Sequence, residues 1–231
     1  MTPRTRTLLG VLILAALVPL MAGVLACLPV PIGDPEEGWI DPDLRGVWFS
    51  GEGDPTLLLL EPWDEHTWLV ASAGVRHRGT DSCEGVERPS GYEEMMALLA
   101  RDDGCLVLEG LYLYKGWQSR QGGHDFLTLE PRQFVLSEAE AAELAEDPTW
   151  FAYRMERPDE GSLSLRVVDE DFDGFSDVPK TREAYEGVVA EHVDSDDLYE
   201  SEAWVFVRVP EEDAGPLRTL LQTLFEDLLD Y

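Results

Sequence analysis

Residues 105–130 read CLVLEGLYLYKGWQSRQGGHDFLTLE and hold the longest strand signal in the chain. The leucines and tyrosines of Leu111–Tyr114 suit the surface of a pleated sheet, and the signal extends over Cys105–Trp117. Gln121–Gly123 supplies turn residues, after which His124–Glu130 is again rich in strand formers. The stretch therefore predicts an antiparallel β-hairpin.

Similar strand signals occur on both sides of this hairpin. The six further segments are Leu44–Phe49, Thr56–Glu61, His66–Ala73, Thr149–Glu156, Ser162–Val168 and Glu202–Val209. A turn at Asp159–Gly161 joins two of them into a second hairpin. About eight strands, mostly linked by hairpins, favour an antiparallel barrel or sandwich. We expect a mainly β fold, an eight-stranded barrel that encloses either a packed core or one small ligand.

Helical patterns interrupt the strands and close the chain. Tyr92–Arg101 carries apolar residues at helical spacing, and Ser137–Glu146 is rich in alanine and glutamate behind a capping serine. Thr181–Val193 has one apolar face. Pro216–Leu229 is amphipathic, with leucines on one side. The barrel is thus expected to have inserted helices and a C-terminal helix.

The N-terminal stretch Met1–Cys27 has the composition of an export signal. Arg4 and Arg6 precede an apolar run at Leu8–Leu25, and no acidic residue occurs before Asp34. The sequence Val24-Leu25-Ala26-Cys27 resembles the bacterial lipobox, in which the cysteine becomes the acylated first residue. This resemblance predicts a lipid anchor on Cys27, and each buried methylene of such an anchor contributes about 0.8 kcal/mol.

Two alternatives to lipidation stay open. The run Leu8–Leu25 is 18 residues long, the lower limit for a membrane-spanning helix, although Pro19 interrupts it. Ordinary signal cleavage after Ala26 would leave Cys27 unmodified. The lipoprotein resemblance places the protein in the bacterial cell envelope, and Leu28 after the cysteine implies the outer membrane, facing the periplasm.

The chain divides into a signal peptide at 1–26, a Pro- and Gly-rich tether at 27–43 and a single barrel domain at 44–231. We expect the tether to lift the domain off the membrane, with Trp39 and Ile40 able to dock on its surface. Removal of residues 1–26 takes away two arginines and no acid, so the net charge changes from −30 to −32. Such acidity argues against nucleic acid or an anionic membrane surface as a partner.

Two cysteines besides Cys27 lie in the exported part, Cys83 and Cys105. An oxidising compartment favours a disulfide between them, and the alternative is two separate buried thiols. Their spacing fits neither a metal site nor a redox pair.

Gly46-Val47-Trp48 opens the first predicted strand, and Arg208 ends the last. A Gly-x-Trp at this position resembles the N-terminal mark of lipocalins and related calycin barrels, in which an arginine near the last strand packs across the tryptophan. The resemblance implies that Trp48 and Arg208 meet at one end of a closed barrel. The other interpretation makes Trp48 an ordinary core aromatic. The combination with a lipobox resembles uncharacterised bacterial lipoproteins that carry a lipocalin-like domain.

The other sequence patterns give little indication of a catalytic or metal-binding site. The acidic stretch Asp169–Gly174 matches the first half of a calcium loop, but Lys180 stands where a bidentate glutamate is needed, so a surface turn is favoured. The four histidines, His66, His77, His124 and His192, lack metal-ligand spacing. The sequence has no nucleophile elbow and no phosphate-binding glycine loop. We therefore predict no catalytic residue, no cofactor and no metal, and do not expect an enzyme.

The predicted function is that of a membrane-anchored envelope lipoprotein whose barrel binds a small apolar molecule or lipid. Its alternative is a non-catalytic scaffold or interaction lipoprotein with a filled barrel. A third hypothesis, a hydrolase whose site escapes motif analysis, would need perturbed titratable groups converging in a cleft. The predicted partners are a lipid bilayer through acylated Cys27 and a small apolar ligand.

Overall fold

A computed structural model describes residues 27–51, 55–77, 91–99, 106–133, 149–200, 203–215 and 217–218. These residues form eight strands, β1 to β8 in chain order: Gly46–Ser50, Thr56–Pro62, Thr67–His77, Leu106–Gln121, His124–Gln133, Phe151–Glu156, Ser162–Val167 and Trp204–Arg208. They also include helices α1 (Tyr92–Leu99) and α2 (Arg182–His192), and a further helical stretch at 211–215 and 217–218. Short 3-10 turns lie at Pro42–Leu44, Asp173–Phe175 and Asp196–Leu198.

The eight strands close into an antiparallel barrel. Each strand pairs with the next along the chain, and β1 also pairs with β8, with Trp48 opposite Arg208 and Phe49 opposite Val207. Closure leaves these strands without an exposed hydrogen-bonding edge. The predicted fold class is confirmed, and all eight predicted strand segments correspond to strands of the barrel.

The connections define two ends of the barrel. The β2–β3, β4–β5 and β6–β7 turns lie at one end, called the floor, and the other connections lie at the opposite end, called the mouth. The predicted turn of the central hairpin is formed by Gly122 and Gly123, with φ of 57° and 88°. Glycine suits this tight turn because it adopts positive φ without a steric penalty.

Alternate residues of the strands point into the barrel and fill it. The buried inward-facing side chains form one apolar cluster, which comprises Leu44, Trp48, Leu58, Leu60, Trp68, Val70, Leu127, Leu129, Phe151, Tyr153, Met155, Leu163, Leu165, Val167 and Phe206. Trp48, Trp68 and Phe206 expose at most 1 % of their surface. No water-sized gap therefore adjoins these large side chains, and the floor half of the barrel is solid core.

Two further apolar clusters lie on the outside of the barrel. Met95 of α1, together with Ala214 and Leu217, packs on outward residues of β1 to β3 such as Phe49 and Leu57. Tyr185 and Val189 of α2 pack on Phe126 and Ala152 of β5 and β6. The patterns at Tyr92–Arg101 and Thr181–Val193 thus predicted helices correctly, and Thr181 caps α2 by accepting from the Ala184 amide at 3.4 Å. The helix predicted at Ser137–Glu146 lies outside the described residues, as does most of Pro216–Leu229.

The segment Cys27–Asp43, called the strap, differs from its prediction as a free tether. Leu28 and Ile32 are completely buried, and Leu28 pairs with Trp150 through hydrogen bonds in both directions, of 2.7 and 3.1 Å. The Ile32 carbonyl accepts from the Trp117 indole and the Thr128 hydroxyl, at 3.0 and 2.6 Å. The strap therefore lies along the outer wall from the mouth to the floor, because its apolar residues bury surface there.

Close packing of the strap requires a glycine at position 33. Gly33 has φ of 79°, and a side chain there would bring its Cβ to 2.3 Å from Ser119 Cβ on β4. Its amide donates to Glu186 Oε1 of α2 at 2.8 Å. Only glycine combines this backbone conformation with so close an approach, so the strap is fixed between the barrel wall and α2.

Candidate functional site

The floor of the barrel is closed by the contact between Trp48 and Arg208. The Arg208 guanidinium carbon lies 4.4 Å from the centroid of the Trp48 ring. The same guanidinium donates to the carbonyls of Arg45, at 2.8 Å, and of Asp43. The Trp48 indole N–H donates to the Leu44 carbonyl at 2.9 Å. The structure thus brings together the two residues that the lipocalin resemblance paired, and their contacts fix the end of the strap against the floor.

A polar side chain continues this arrangement inside the barrel. Gln118 Oε1 accepts from the Trp68 indole and from the Asp41 backbone amide, both at 3.1 Å. Gln118 is 2 % exposed, and the two bonds satisfy its buried oxygen. Ile40 and Leu44 of the adjoining chain pack on the interior cluster. The floor is therefore a structural plug with no opening into the core.

A cleft of about 710 Å³ lies outside this plug. It is lined by Pro42, Asp43, Arg157, Asp159, Glu160 and Arg208. Arg157 forms ion pairs with Asp41 at 3.0 Å and Asp43 at 3.6 Å. A charged, solvent-filled lining of this kind is unlike the mostly apolar pockets that hold small apolar ligands. The cleft does not supply the predicted apolar binding site.

The mouth contains aromatic side chains beside the first residue of the strap. The rings of Tyr114 and Phe151 meet edge to face at 5.9 Å, and those of Tyr153 and Trp204 lie 6.3 Å apart. Half-buried Cys27 packs on the interior cluster at this end. The predicted lipid attachment residue thus lies at the mouth, at the end of the barrel opposite Arg208.

Cys27 is held in place by backbone hydrogen bonds, and the pKa of its thiol is raised. Its amide donates to Glu170 Oε2 at 2.9 Å, and Leu28 next to it pairs with Trp150. Burial raises the pKa of the Cys27 thiol, the neighbouring Glu170 carboxylate raises it further, and a hydrogen bond with Thr149 opposes both. A raised pKa keeps the sulfur protonated, whereas catalytic cysteines need a lowered one.

Glu170, which accepts from the Cys27 amide, belongs to a group of three acidic side chains with Glu200 and Asp169. Burial raises the pKa of Glu200, and the negative charges of Asp169 and Glu170 raise it further. Glu200 Oε1 is buried and has no hydrogen-bond partner among the described residues. Sequence reasoning missed this group because Glu170 is 143 residues from Cys27, and no local pattern links the two.

The other sites predicted from the sequence have separate outcomes. Cys83 and Cys105 lie outside the described residues, so their disulfide stays a prediction. Asp169–Gly174 forms a turn in which Asp169 Oδ1 accepts from the Asp171 amide at 2.9 Å. Within the described ranges, no three His, Cys, Asp or Glu residues are placed to share a metal ion.

The histidines have separate neighbours. His66 Nδ1 lies 2.9 Å from the Gly38 carbonyl, His124 Nε2 lies 3.3 Å from Asp194, and the His192 ring lies 5.1 Å from that of Phe172. Nothing is described of the His77 side chain. Three of the four histidines thus have different neighbours.

In the described part of the chain, no helix is long and apolar enough to span a bilayer. Comparison with known proteins finds no matching family model, no matching curated protein and no matching solved structure. The closed eight-stranded antiparallel barrel is consistent with a lipocalin-like fold. The likeness to lipocalins therefore rests on this barrel and on the Gly46-x-Trp48 and Arg208 pattern.

Proposed function

We propose that this protein is a bacterial envelope lipoprotein, anchored to the outer membrane through acylated Cys27, whose filled barrel is a non-catalytic scaffold for other envelope components. The observation that carries the scaffold role is the packed barrel interior. Trp48, Trp68 and Phe206 expose at most 1 % of their surface, so a ligand could enter the floor half of the barrel only by displacing core side chains. Of the two functions expected from the sequence, the filled barrel is therefore favoured.

Two features support an anchor at Cys27. The lipobox sequence ends at this residue, and its side chain is half-buried at the mouth. The backbone bonds to Glu170 and Trp150 hold the residue in place. An acyl group attached to this sulfur would extend from the domain at the mouth of the barrel.

An exposed strand face supports the scaffold role. Val205 and Val207 of β8 point outward and are 38 % and 42 % exposed, and Trp204 at the mouth is 49 % exposed. Exposed apolar side chains on the outer face of a strand, such as these two valines, are a feature of interaction surfaces. We propose that a protein partner binds this face of β8.

The second candidate function is binding of one apolar molecule at the mouth. Tyr114 is only partly buried and packs on the interior cluster, and the Tyr153 side chain lies beside it. These aromatic side chains could cover an apolar molecule placed on top of the solid core.

Native mass spectrometry of the protein extracted from its own membrane separates the two candidates. A scaffold gives the mass of the acylated chain alone, or of a complex with another protein. A small molecule that copurifies at unit stoichiometry would instead support binding at the mouth. Photo-crosslinking in cells from Val205 or Val207 should capture a protein neighbour. The control is Trp63, which is 50 % exposed but lies in the β2–β3 turn at the floor.

The anchor is tested by Cys27→Ala. We expect the variant to leave the membrane fraction or to accumulate unprocessed, since it has no sulfur to acylate. Thr149→Ala is a matched control, because it removes a neighbour of the thiol and leaves the attachment site intact. Normal processing and membrane association of Cys27→Ala would show that the anchor lies elsewhere.

A further inference from the structure

We propose that Glu170, supported by Glu200 and Asp169, binds the α-ammonium group created when the chain is cleaved before Cys27, and that the mature N-terminus keeps this free amine. The inference rests on the proposed processing at Cys27. It adds a binding site for the new N-terminus. Lipidation of the sulfur alone would not require such a site.

The geometry of the amide already fits an ammonium ion. Cys27 N lies 2.9 Å from Glu170 Oε2, the separation of a charge-assisted hydrogen bond. The two Leu28–Trp150 hydrogen bonds fix the next residue and therefore the position of this nitrogen. Hydrolysis of the Ala26–Cys27 peptide bond by an envelope peptidase consumes one water and leaves a carboxylate on Ala26 and an ammonium on Cys27. The nitrogen does not have to move to gain its charge.

This acidic group has no counterion among the described residues. None of the ion pairs in the described part of the chain includes Glu170, Glu200 or Asp169. The buried Glu200 Oε1 has no hydrogen-bond partner there, although buried polar atoms are normally paired. An unpaired carboxylate oxygen beside two like charges is costly in the uncleaved chain. One positive charge at Cys27 N would relieve the mutual repulsion of the three groups.

The other groups that face Cys27 are uncharged at neutral pH. They are the Thr149 hydroxyl, Tyr114 of β4 and Tyr153 of β6, whose pKa is raised by burial. A free α-amine has an ordinary pKa of about 7.7–8.0. The adjacent carboxylates favour its charged form, so its pKa in the folded protein should be raised. N-acylation would remove the charge and leave the three acids unneutralised.

The experiment uses mature protein extracted from membranes. Reductive methylation with formaldehyde and cyanoborohydride reports the free amine, and peptide mass spectrometry measures its rate at Cys27 between pH 6 and 10. We expect the folded protein to react several-fold more slowly than the denatured protein at pH 8, since a raised pKa leaves less of the amine unprotonated and partial burial limits access to it. The pH midpoint of the reaction should be higher in the folded protein.

Two substitutions give the comparison. Glu170→Gln keeps the shape of the side chain and should lower the pH midpoint and speed the reaction several-fold. Asp171→Asn makes the same change of charge at an exposed position of the same loop. It should leave the pH midpoint and the rate of the reaction unchanged. If Glu170→Gln is not exported, the comparison of reaction rates between folded and denatured wild-type protein still tests the inference.

The outcomes separate this inference from the proposed function. A mature chain that begins at Cys27 with an acylated nitrogen, or with a free amine whose rate does not depend on folding or on Glu170, overturns the inference and leaves the lipoprotein proposal intact. A mature chain that begins at any other residue overturns both.

Discussion

Replacement of Arg208 by alanine tests whether the floor contact stabilises the barrel. The side chain lies over Trp48, with 4.4 Å between the guanidinium carbon and the ring centroid, and it also donates to the carbonyls of Arg45 and Asp43. Its removal deletes all three interactions and leaves two carbonyls to be solvated. We expect the free energy of unfolding to fall while membrane association is unchanged.

The size of the expected loss in unfolding free energy follows from the partial exposure of the Arg208 guanidinium. A cation–π contact at a partly exposed site contributes about 0.5–1 kcal/mol. Each of the two hydrogen bonds contributes about 1 kcal/mol net of competition with water. The expected loss is therefore about 2–3 kcal/mol, which corresponds to a decrease of roughly 4–12 °C in Tm for a domain of this size. Thermal and urea unfolding followed by tryptophan fluorescence would measure it.

Arg120→Ala provides the control. Arg120 also lies over an indole, that of Trp39 at 5.8 Å, but it is exposed and its ion pair is with Asp125 on the surface. We expect this control to lose less than about 1 kcal/mol. A double-mutant cycle of Arg208→Ala with Trp48→Phe isolates the ring contact. Equal losses in Arg208→Ala and Arg120→Ala, together with no coupling to Trp48, would refute the role assigned to the floor.

Three further predictions concern other parts of the molecule. Ile32→Ala should lower the free energy of unfolding by about 2–5 kcal/mol, because the side chain is fully buried; a urea midpoint like that of the wild type would contradict packing of the strap. Burial raises the pKa of Tyr153, so the neutral phenol is favoured in the folded state, and the stability that this gives is present below about pH 10 and is lost as the pH rises further. Tyr153→Phe should therefore weaken the fall in unfolding free energy above pH 10, and an unchanged slope would assign that fall to other groups. Thiol labelling of denatured, unreduced protein should modify neither Cys83 nor Cys105, and labelling of both would rule out the predicted bridge.

The barrel could be predicted because the residue patterns that specify its strands and turns are local in the sequence. Alternation places Phe206 and Leu163 on one face of their strands, and Gly122-Gly123 fixes a hairpin turn. The Gly-x-Trp pattern then identified which two strands close the sheet. Only the pairing of Trp48 with Arg208 required a resemblance, because 160 residues separate them in the sequence.

The strap was misjudged because prolines were taken as a sign of a detached segment. Proline prevents helix and weakens strand pairing, but it does not prevent burial of its neighbours. Leu28, Val30 and Ile32 alternate with Pro29 and Pro31, and the three apolar side chains pack on the cluster beneath α2. This spacing of two was the signal that an extended segment with one apolar face would bind the barrel wall.

The mouth could not be predicted for a different reason. Its acidic residues come from the loop after β7 and from the chain before β8, whereas Cys27 opens the strap. In a sequence with 47 acidic residues, no composition pattern distinguishes Glu170 or Glu200 from the others. Only the folded chain shows that Glu170 lies beside Cys27 and that Glu200 lies close to Glu170.

Packing of the strap also determines how far the domain could travel from the anchor that we propose at Cys27. A free linker of sixteen residues would have a root-mean-square reach of roughly 20–25 Å and would let the domain tumble above the bilayer. Because Leu28 and Ile32 are buried in the wall, the segment does not have this reach. A barrel anchored at Cys27 therefore has a set height and orientation, with its mouth toward the lipid and Arg208 at the far end. A partner has to come to the membrane surface to meet it, and an insertion of flexible residues after Cys27 would restore the missing reach.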